Sequence, residues 1–560
     1  MNHAAPKSRV SAWLLLLSSL PCPAADQLLL INGTVHTANP RAPRAQAVLA
    51  TDGRIAYVGS NEEARKRAAA GARVLDLEGL TVLPGLTDSH AHLAGIGERE
   101  LSFQLEGTAS LAELQQRLRE QHGKVAPGEW IVGRGWIESR WTPAAFPTKT
   151  DLDEIVGDRP VLLERADGHA MVVSSRALAL AGIDRHTPDP AGGRILKDAK
   201  GEPTGMLIDG AMTLVTKLVP APTEEQLLRQ LETGASRSVR VGWTQLQIAG
   251  NSFAEVDRLC QLYAAGRIKL RVYDALDGPG ADAEKLIARG PAVNHCGDRL
   301  TLRAIKLYID GALGSRGARL LAPYSDAPDT SGLFVNEPAK LLPVLTSALK
   351  RGIQIETHAI GDEGNRIMLD LYEKAFAAVP PRERAVSEPR WRIEHAQVLT
   401  AQDIPRFAKL GVIASMQPSH AISDLFFAPK RLGPERIRFA YAWRALLDSG
   451  ATLAAGSDAP VESGDPIEEF YAAVVRRSRD GFADASWHRE SRVTREEALA
   501  MLTSAPAFAA FQEKERGSIE PGKQADFTIV SADLMSVPED EILATRVVMT
   551  IIAGEVVYER

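Results

Sequence analysis

The chain is predicted to be an α/β protein built on a (β/α)8 barrel, and three observations carry that prediction. Eight β-like segments lie between residues 85 and 461. Helical segments fall between most of them, which favours a closed parallel barrel. No glycine-rich phosphate loop follows any of these strands, which argues against an open nucleotide-binding sheet. The candidate strands are 85–92, 242–250, 270–278, 300–311, 352–362, 391–399, 411–419 and 452–461. Residues 338–352 and 495–509 read as helices, the second following the last strand.

Both ends of the chain read differently. Residues 28–37, 53–59 and 73–85 alternate apolar side chains with Gly and Asp turns, and so do 517–530 and 547–559. That pattern predicts short antiparallel strands. Chain ends often lie close together, so residues 26–84 and 510–560 are expected to form one composite β-sandwich domain around the barrel of 85–509. The gap after the first strand is too long for a βα unit, at about 150 residues. It is read as an inserted α+β subdomain, about 99–240, on the face where barrel loops build active sites. There it would cover the substrate.

Composition narrows the function. The 560 residues are 45% hydrophobic and 24% charged, with a net charge of −6 and no basic run. A nucleic-acid partner is therefore not expected. Three cysteines exclude a disulfide scaffold and a four-cysteine zinc site. No apolar run is long enough to span a bilayer. At the start, Lys7 and Arg9 precede the apolar stretch from Val10 to Leu20, and Pro23, Ala24 and Ala25 follow. Residues 1–25 thus read as a signal peptide and imply a secreted or periplasmic protein. Cys260 and Cys296 then remain, and sequence leaves their pairing open.

The chemistry is carried by histidines at strand ends. His90 and His92 lie in DSHAH, His358 in ETHAIGD and His395 in IEHAQ, while Asp458 in GSDAP ends the last strand. Side chains two apart in a strand point the same way, so His90 and His92 share one interior. Barrel closure brings distant strand ends onto one ring. The spacings register His358, His395 and Asp458 as the fifth, sixth and eighth strands. Neutral imidazoles with a carboxylate suit a divalent metal, zinc first, with manganese, iron or cobalt as alternatives.

With these motifs in place, the sequence resembles the amidohydrolase superfamily. Within it, the likeness is to the branch of the YtcJ-like proteins and N-substituted formamide deformylase (amidohydrolase family 3). The matching segments are LPGLTDSHAHL (83–93), IKLYIDGALGSRGA (305–318), THAIGD (357–362), RIEHAQ (392–397), GSDAPV (456–461) and GSIEPGKQADFTIV (517–530). The resemblance implies a barrel with a composite β-sandwich, a site for one or two metal ions and hydrolysis of a carbon–nitrogen bond. It implies that His90, His92 and Asp458 hold one ion and His358 and His395 the other. It also puts Lys306 where such enzymes often carry a carboxylated lysine that bridges both ions. A lysine buried beside cations has a depressed pKa, so its neutral amine can take up CO2. Two positions depart from the branch: Ile137, followed by Glu138, stands after GRGW where relatives often have an acid, and Ser174 replaces an Asn.

A metal-activated water would then attack a small-molecule substrate, with Asp458 as general base. His169, Arg316, His420 and Trp136 are the candidate substrate contacts, with Trp141 beside Trp136, and Asp362 is a candidate acceptor behind a ligand histidine. The same site would serve esters, lactones, carbamates or deamination, and a non-catalytic small-molecule binder is the remaining alternative. The sequence is silent on oligomeric state; barrels of this size commonly dimerise, which makes a homodimer one candidate assembly.

Overall fold

A computed structural model describes Met1 and residues 26–560, apart from 139–140, 167–169, 191–192 and 484–486. The signal-peptide segment, Met1 aside, and His169 lie outside the described residues.

All eight candidate strands form, and in chain order they are neighbours in one parallel sheet. They are β1 Leu86–Ala91, β2 Trp243–Asn251, β3 Arg271–Asp277, β4 Leu300–Tyr308, β5 Gln354–Ala359, β6 Arg392–His395, β7 Ile413–Met416 and β8 Leu453–Ala455. Their side chains are buried on both faces, as expected for strands walled by helices outside and packed within. Register carries the polar residues to one end: Tyr308 lies opposite His358, and Ala359 opposite His395.

The seam between β8 and β1 is closed by the segment after β8. The Asp458 amide donates to the His90 carbonyl at 2.7 Å. The Ser457 amide and hydroxyl both donate to the Asp88 carboxylate, at 2.9 and 2.5 Å. Gly456 is required here, because a Cβ would collide with the His90 backbone nitrogen.

Helix α1, Leu93–Leu101, starts directly after His92 and packs on α2, Glu224–Arg240. Glycines set this crossing: a Cβ at Gly97 would run into the Gln230 carbonyl, and one at Gly234 into the Leu93 carbonyl. Between these helices the inserted segment builds its own six-stranded sheet. Helices Leu111–His122 and Lys149–Val156 cover that sheet.

Strands from both chain ends share one sheet. Phe527–Val530 pairs antiparallel with Thr81–Pro84, and Thr34–His36 pairs with Thr81–Pro84 on its other side. A four-stranded sheet of N-terminal strands faces it, and Leu28, Leu30 and Val48 join Val82, Phe527 and Ile551 in a common apolar core.

The insertion corrects two expectations. Trp136 is fully buried in that subdomain's core, where its Nε1 donates to the Leu163 carbonyl at 2.9 Å. Trp141 does the same toward Thr108 at 2.8 Å. Neither wall a substrate pocket, because each indole finds its apolar contacts and its acceptor inside the insertion. Of the two departures from the branch pattern, Ser174 caps the helix Ser175–Leu180, and beside Ile137 the next residue, Glu138, pairs with Arg165 at 2.8 Å. Cys260, in the helix Phe253–Ala264, forms a disulfide with Cys296, their Cα atoms 5.2 Å apart.

Candidate metal centre

The strand ends bring His90, His92, Lys306, His358, His395 and Asp458 to one cavity of about 770 Å3. His90 and Asp458 are held across the seam, with His90 Nε2 3.5 Å from Asp458 Oδ1. The Nε2 of His92 lies 3.1 Å from the same oxygen. The Nζ of Lys306 is 3.4 Å from His90 Nε2. The ring of His395 sits 4.8 Å from that of His90 and 4.5 Å from that of His358.

Backbone geometry aims two of these groups. His395 and Asp458 have φ values of +72° and +58°. The left-handed region is costly for residues other than glycine, at roughly 1–3 kcal/mol, and such outliers cluster at functional sites. In β6, strict alternation would turn Glu394 and His395 to opposite faces. The left-handed turn at His395 brings both inside.

Two of the imidazoles have one nitrogen engaged by a partner behind them. Nδ1 of His90 contacts Glu394 Oε2 at 2.5 Å, and Nδ1 of His395 contacts Gln417 Oε1 at 2.8 Å. The Nε2 of His358 is turned toward Asp310, 3.7 Å away. Asp310 itself accepts the amides of Ile360, Gly361 and Arg319. Engaging one nitrogen orients the ring and leaves the other for a ligand.

Burial sets the protonation. It pushes the His90 and His395 imidazoles well below their ordinary value and brings His358 down to about 3. These rings are therefore neutral at neutral pH, as ligation requires. Burial also lowers Lys306, against the pull of Glu394, Asp458 and Glu356. Burial opposes ionisation of Asp458, but the His92 hydrogen bond and the rings of His395 and His420 outweigh it and hold the carboxyl below the usual range. Burial and Glu356 push Glu394 up to about 8.

The residues fit a divalent cation. Among the described residues, two three-donor groups form here, His90/His92/Asp458 and His395/His420/Asp458, each with its ligand atoms within 4.8 Å of one another. The Nε2 atoms of His358 and His420 are buried without a hydrogen-bond partner. Neutral imidazoles around a low-pKa carboxylate, with buried nitrogens unsatisfied, form a donor set for a metal.

Of the second-tier candidates, His420 does line the cavity. Arg316 does not. Its guanidinium pairs with Asp326 at 2.9 Å on a loop, an ion pair that orders the chain, while Arg431 reaches the cavity wall instead. Asp362 orients no ligand histidine: its carboxylate accepts the backbone amides of Leu321 and Glu363. That second role falls to Glu394 and Gln417, which sequence reading missed. Their only signal was position, Glu394 beside His395 and Gln417 just after β7.

Comparison with known proteins places this geometry. The amidohydrolase family model matches residues 73–558. YtcJ of Bacillus subtilis is 34% identical over 94% of this chain and 98% of its own. N-substituted formamide deformylase of Arthrobacter pascens is 29% identical over 95% of this chain and 98% of its own. The crystal structure of an uncharacterised metal-dependent hydrolase from Pyrococcus horikoshii superposes with a TM-score of 0.75 at 28% identity, covering 92% of this chain and 99% of that one. The chain therefore belongs to the amidohydrolase family, in the branch of YtcJ and N-substituted formamide deformylase, and is a metal-dependent hydrolase.

Proposed function

We propose that this hydrolase cleaves a carbon–nitrogen bond of the amide or formamide type in a small molecule, with Asp458 as general base. The observation that carries the reading is the meeting of five imidazoles, Lys306 and Asp458 in one cavity beside the apolar side chains of Leu313, Ile360, Phe427 and Val461. The deformylase relative supports an amide-type bond. Zinc is the proposed metal, since imidazole and carboxylate oxygen are its usual non-thiolate ligands.

A bound divalent cation would acidify a water and polarise the scissile carbonyl. The protein's own groups do the rest. Asp458 presents Oδ1 to His92 and His90, and its Oδ2 faces the other side of the cavity. One oxygen is thus free to accept a water proton and return it to the leaving nitrogen. Lys306 is proposed to carry a carbamate, for which its burial and lowered amine pKa are the support. The burial of these groups would limit bulk water at the reacting carbonyl; the insertion, expected to cover the substrate, contributes none of the described residues that line the cavity. A secreted or periplasmic location is proposed with it, supported by the Cys260–Cys296 disulfide, since such bonds persist in oxidising compartments.

The test is Asp458→Asn, assayed on parallel panels of formamides, amides, esters and lactones. Turnover on the amide panel is expected to fall by about 10^2–10^4-fold, the usual contribution of a general base, with folding and metal content largely retained. Undiminished turnover would remove Asp458 as the base, and activity confined to esters or lactones would reassign the bond.

A further inference from the structure

We propose that Arg99 is a positioning residue through which the inserted subdomain bears on the reaction: its guanidinium ties Glu106 of the insertion to residues 460–462, which follow the general base and wall the cavity. The inference rests on the reading of Asp458 as base. It gives a role to a subdomain that supplies none of the described residues lining that cavity.

The segment after Asp458 has cavities on both sides. Asp458, Val461 and Glu462 face the metal cavity. Ala459, Pro460 and Ser463 line a second cavity, of about 270 Å3, behind it. A wall with a void at its back lacks the contacts that fix a core residue. Its position therefore depends on hydrogen bonds.

Those bonds come from neighbouring elements, one carbonyl after another. The His92 amide donates to the Ala459 carbonyl at 2.8 Å. Nη1 of Arg99, on α1, donates to the carbonyls of both Pro460 and Glu462, at 3.0 Å each. Arg237 on α2 donates to the Ser463 carbonyl at 3.4 Å, and the Trp243 indole to that of Gly464 at 2.8 Å. Arg99 takes the carbonyls on either side of Val461, and so sets how the chain turns past the cavity.

The other half of the guanidinium belongs to the insertion. Nη2 donates to both carboxylate oxygens of Glu106, at 3.0 and 3.2 Å. Glu106 is itself fixed within the subdomain. It follows Phe103–Gln104, the edge strand of the insertion sheet. Its carbonyl accepts from Arg117 at 2.9 Å, and its backbone lies against Gly135, where a Cβ would collide with it. The side chain of Glu106 is 46% exposed, and a pair so open to water adds little stability. A planar fork that holds two carbonyls and a carboxylate at once fixes direction instead.

The full, zinc-loaded chain is compared with Arg99→Gln, Arg99→Lys and Glu106→Gln. Hydrogen–deuterium exchange is read over residues 457–464, and kcat and KM on the amide that the wild type turns over fastest. Metal content and melting temperature are recorded for each. Exchange in 457–464 is expected to quicken in all three variants, including Glu106→Gln, whose hydrogen-bonded path to that segment runs through Arg99. In Arg99→Gln, kcat should fall about 10–100-fold, within the cost of a small misplacement, with metal content retained and KM changed less. Arg99→Lys keeps the charge but loses the fork, so kcat should fall there too. An Arg99 that serves stability alone would lower the melting temperature and leave kcat and the exchange of 457–464 at wild-type values, which overturns the proposal. Wild-type exchange in Glu106→Gln overturns it as well, because Arg99 would then act without the insertion. If Arg99→Gln does not fold, the other two variants carry the same test. A wild type that turns over no amide sinks the Asp458 reading, and the exchange data still decide whether Glu106 and Arg99 hold this segment.

Discussion

At the scale of single residues, the site is built from imidazoles kept neutral by burial and aimed by partners behind them. Glu394 is fully buried and contacts His90 Nδ1. Outer partners of this kind typically tune metal affinity by about 10–100-fold. Glu394→Gln is therefore expected to weaken zinc binding by about that factor while the protein stays folded. Competition against a chelating dye measures it, and equal affinities would show that Glu394 does not support His90. The same burial predicts a pH dependence in the metal-free protein. Imidazoles in the unfolded chain titrate near 6.5, whereas folded His358 titrates at about 3. Between those values the unfolded chain binds more protons, so stability is full above about 6.5 and is lost as pH falls toward 3. Urea midpoints in chelator at about pH 7.5 and about pH 5 read the effect, and the slope should flatten in His358→Asn.

At the scale of elements, position comes from close approach. Helix α1 begins at the residue after His92, so its seat on α2 sets where the end of β1 points. Gly97 and Gly234 let the two helices approach with backbone against backbone. Gly97→Ala has to push them apart, and overpacking of this kind costs about 1–3 kcal/mol. A lowered urea midpoint together with weaker metal binding is the expected outcome. A variant with wild-type stability would mean that the crossing relaxes without strain. The seam at Gly456 and Ser457 works by the same means, tying β8 to Asp88 and the His90 backbone rather than continuing the ladder.

At the scale of the whole molecule, donors from β1, β5, β6 and the segments after β7 and β8 meet only when the barrel closes. Metal binding is therefore linked to folding, because the unfolded chain has no such site. Saturating metal at about 100 times its dissociation constant should add about 2.7 kcal/mol of stability. Removing metal with a chelator should lower the melting temperature, and restoring zinc should recover it. A melting curve indifferent to chelator would argue that the donors are not used.

Much of this was legible in the chain itself, and the limits have physical causes. The eight strands show because alternation, turn residues and strand length are local properties. The histidines and Asp458 show because their residue types recur at strand ends, where barrel geometry must gather them. Trp136 and Arg316 were read wrongly for the opposite reason. An indole serves a core or a pocket equally well, and only packing put Trp136 inside the insertion. A guanidinium binds substrate or a neighbouring acid, and only the loop fold put Asp326 against Arg316. Glu394 and Gln417 were invisible because their partners lie on other segments; His90 is 304 positions from Glu394. Sequence alone thus determined the barrel and the kinds of atoms at its mouth, since both follow from short-range pattern. Tertiary structure alone decided which nitrogen of each ring faces the cavity and which oxygen of Asp458 faces His420, because those depend on contacts between residues far apart in the chain.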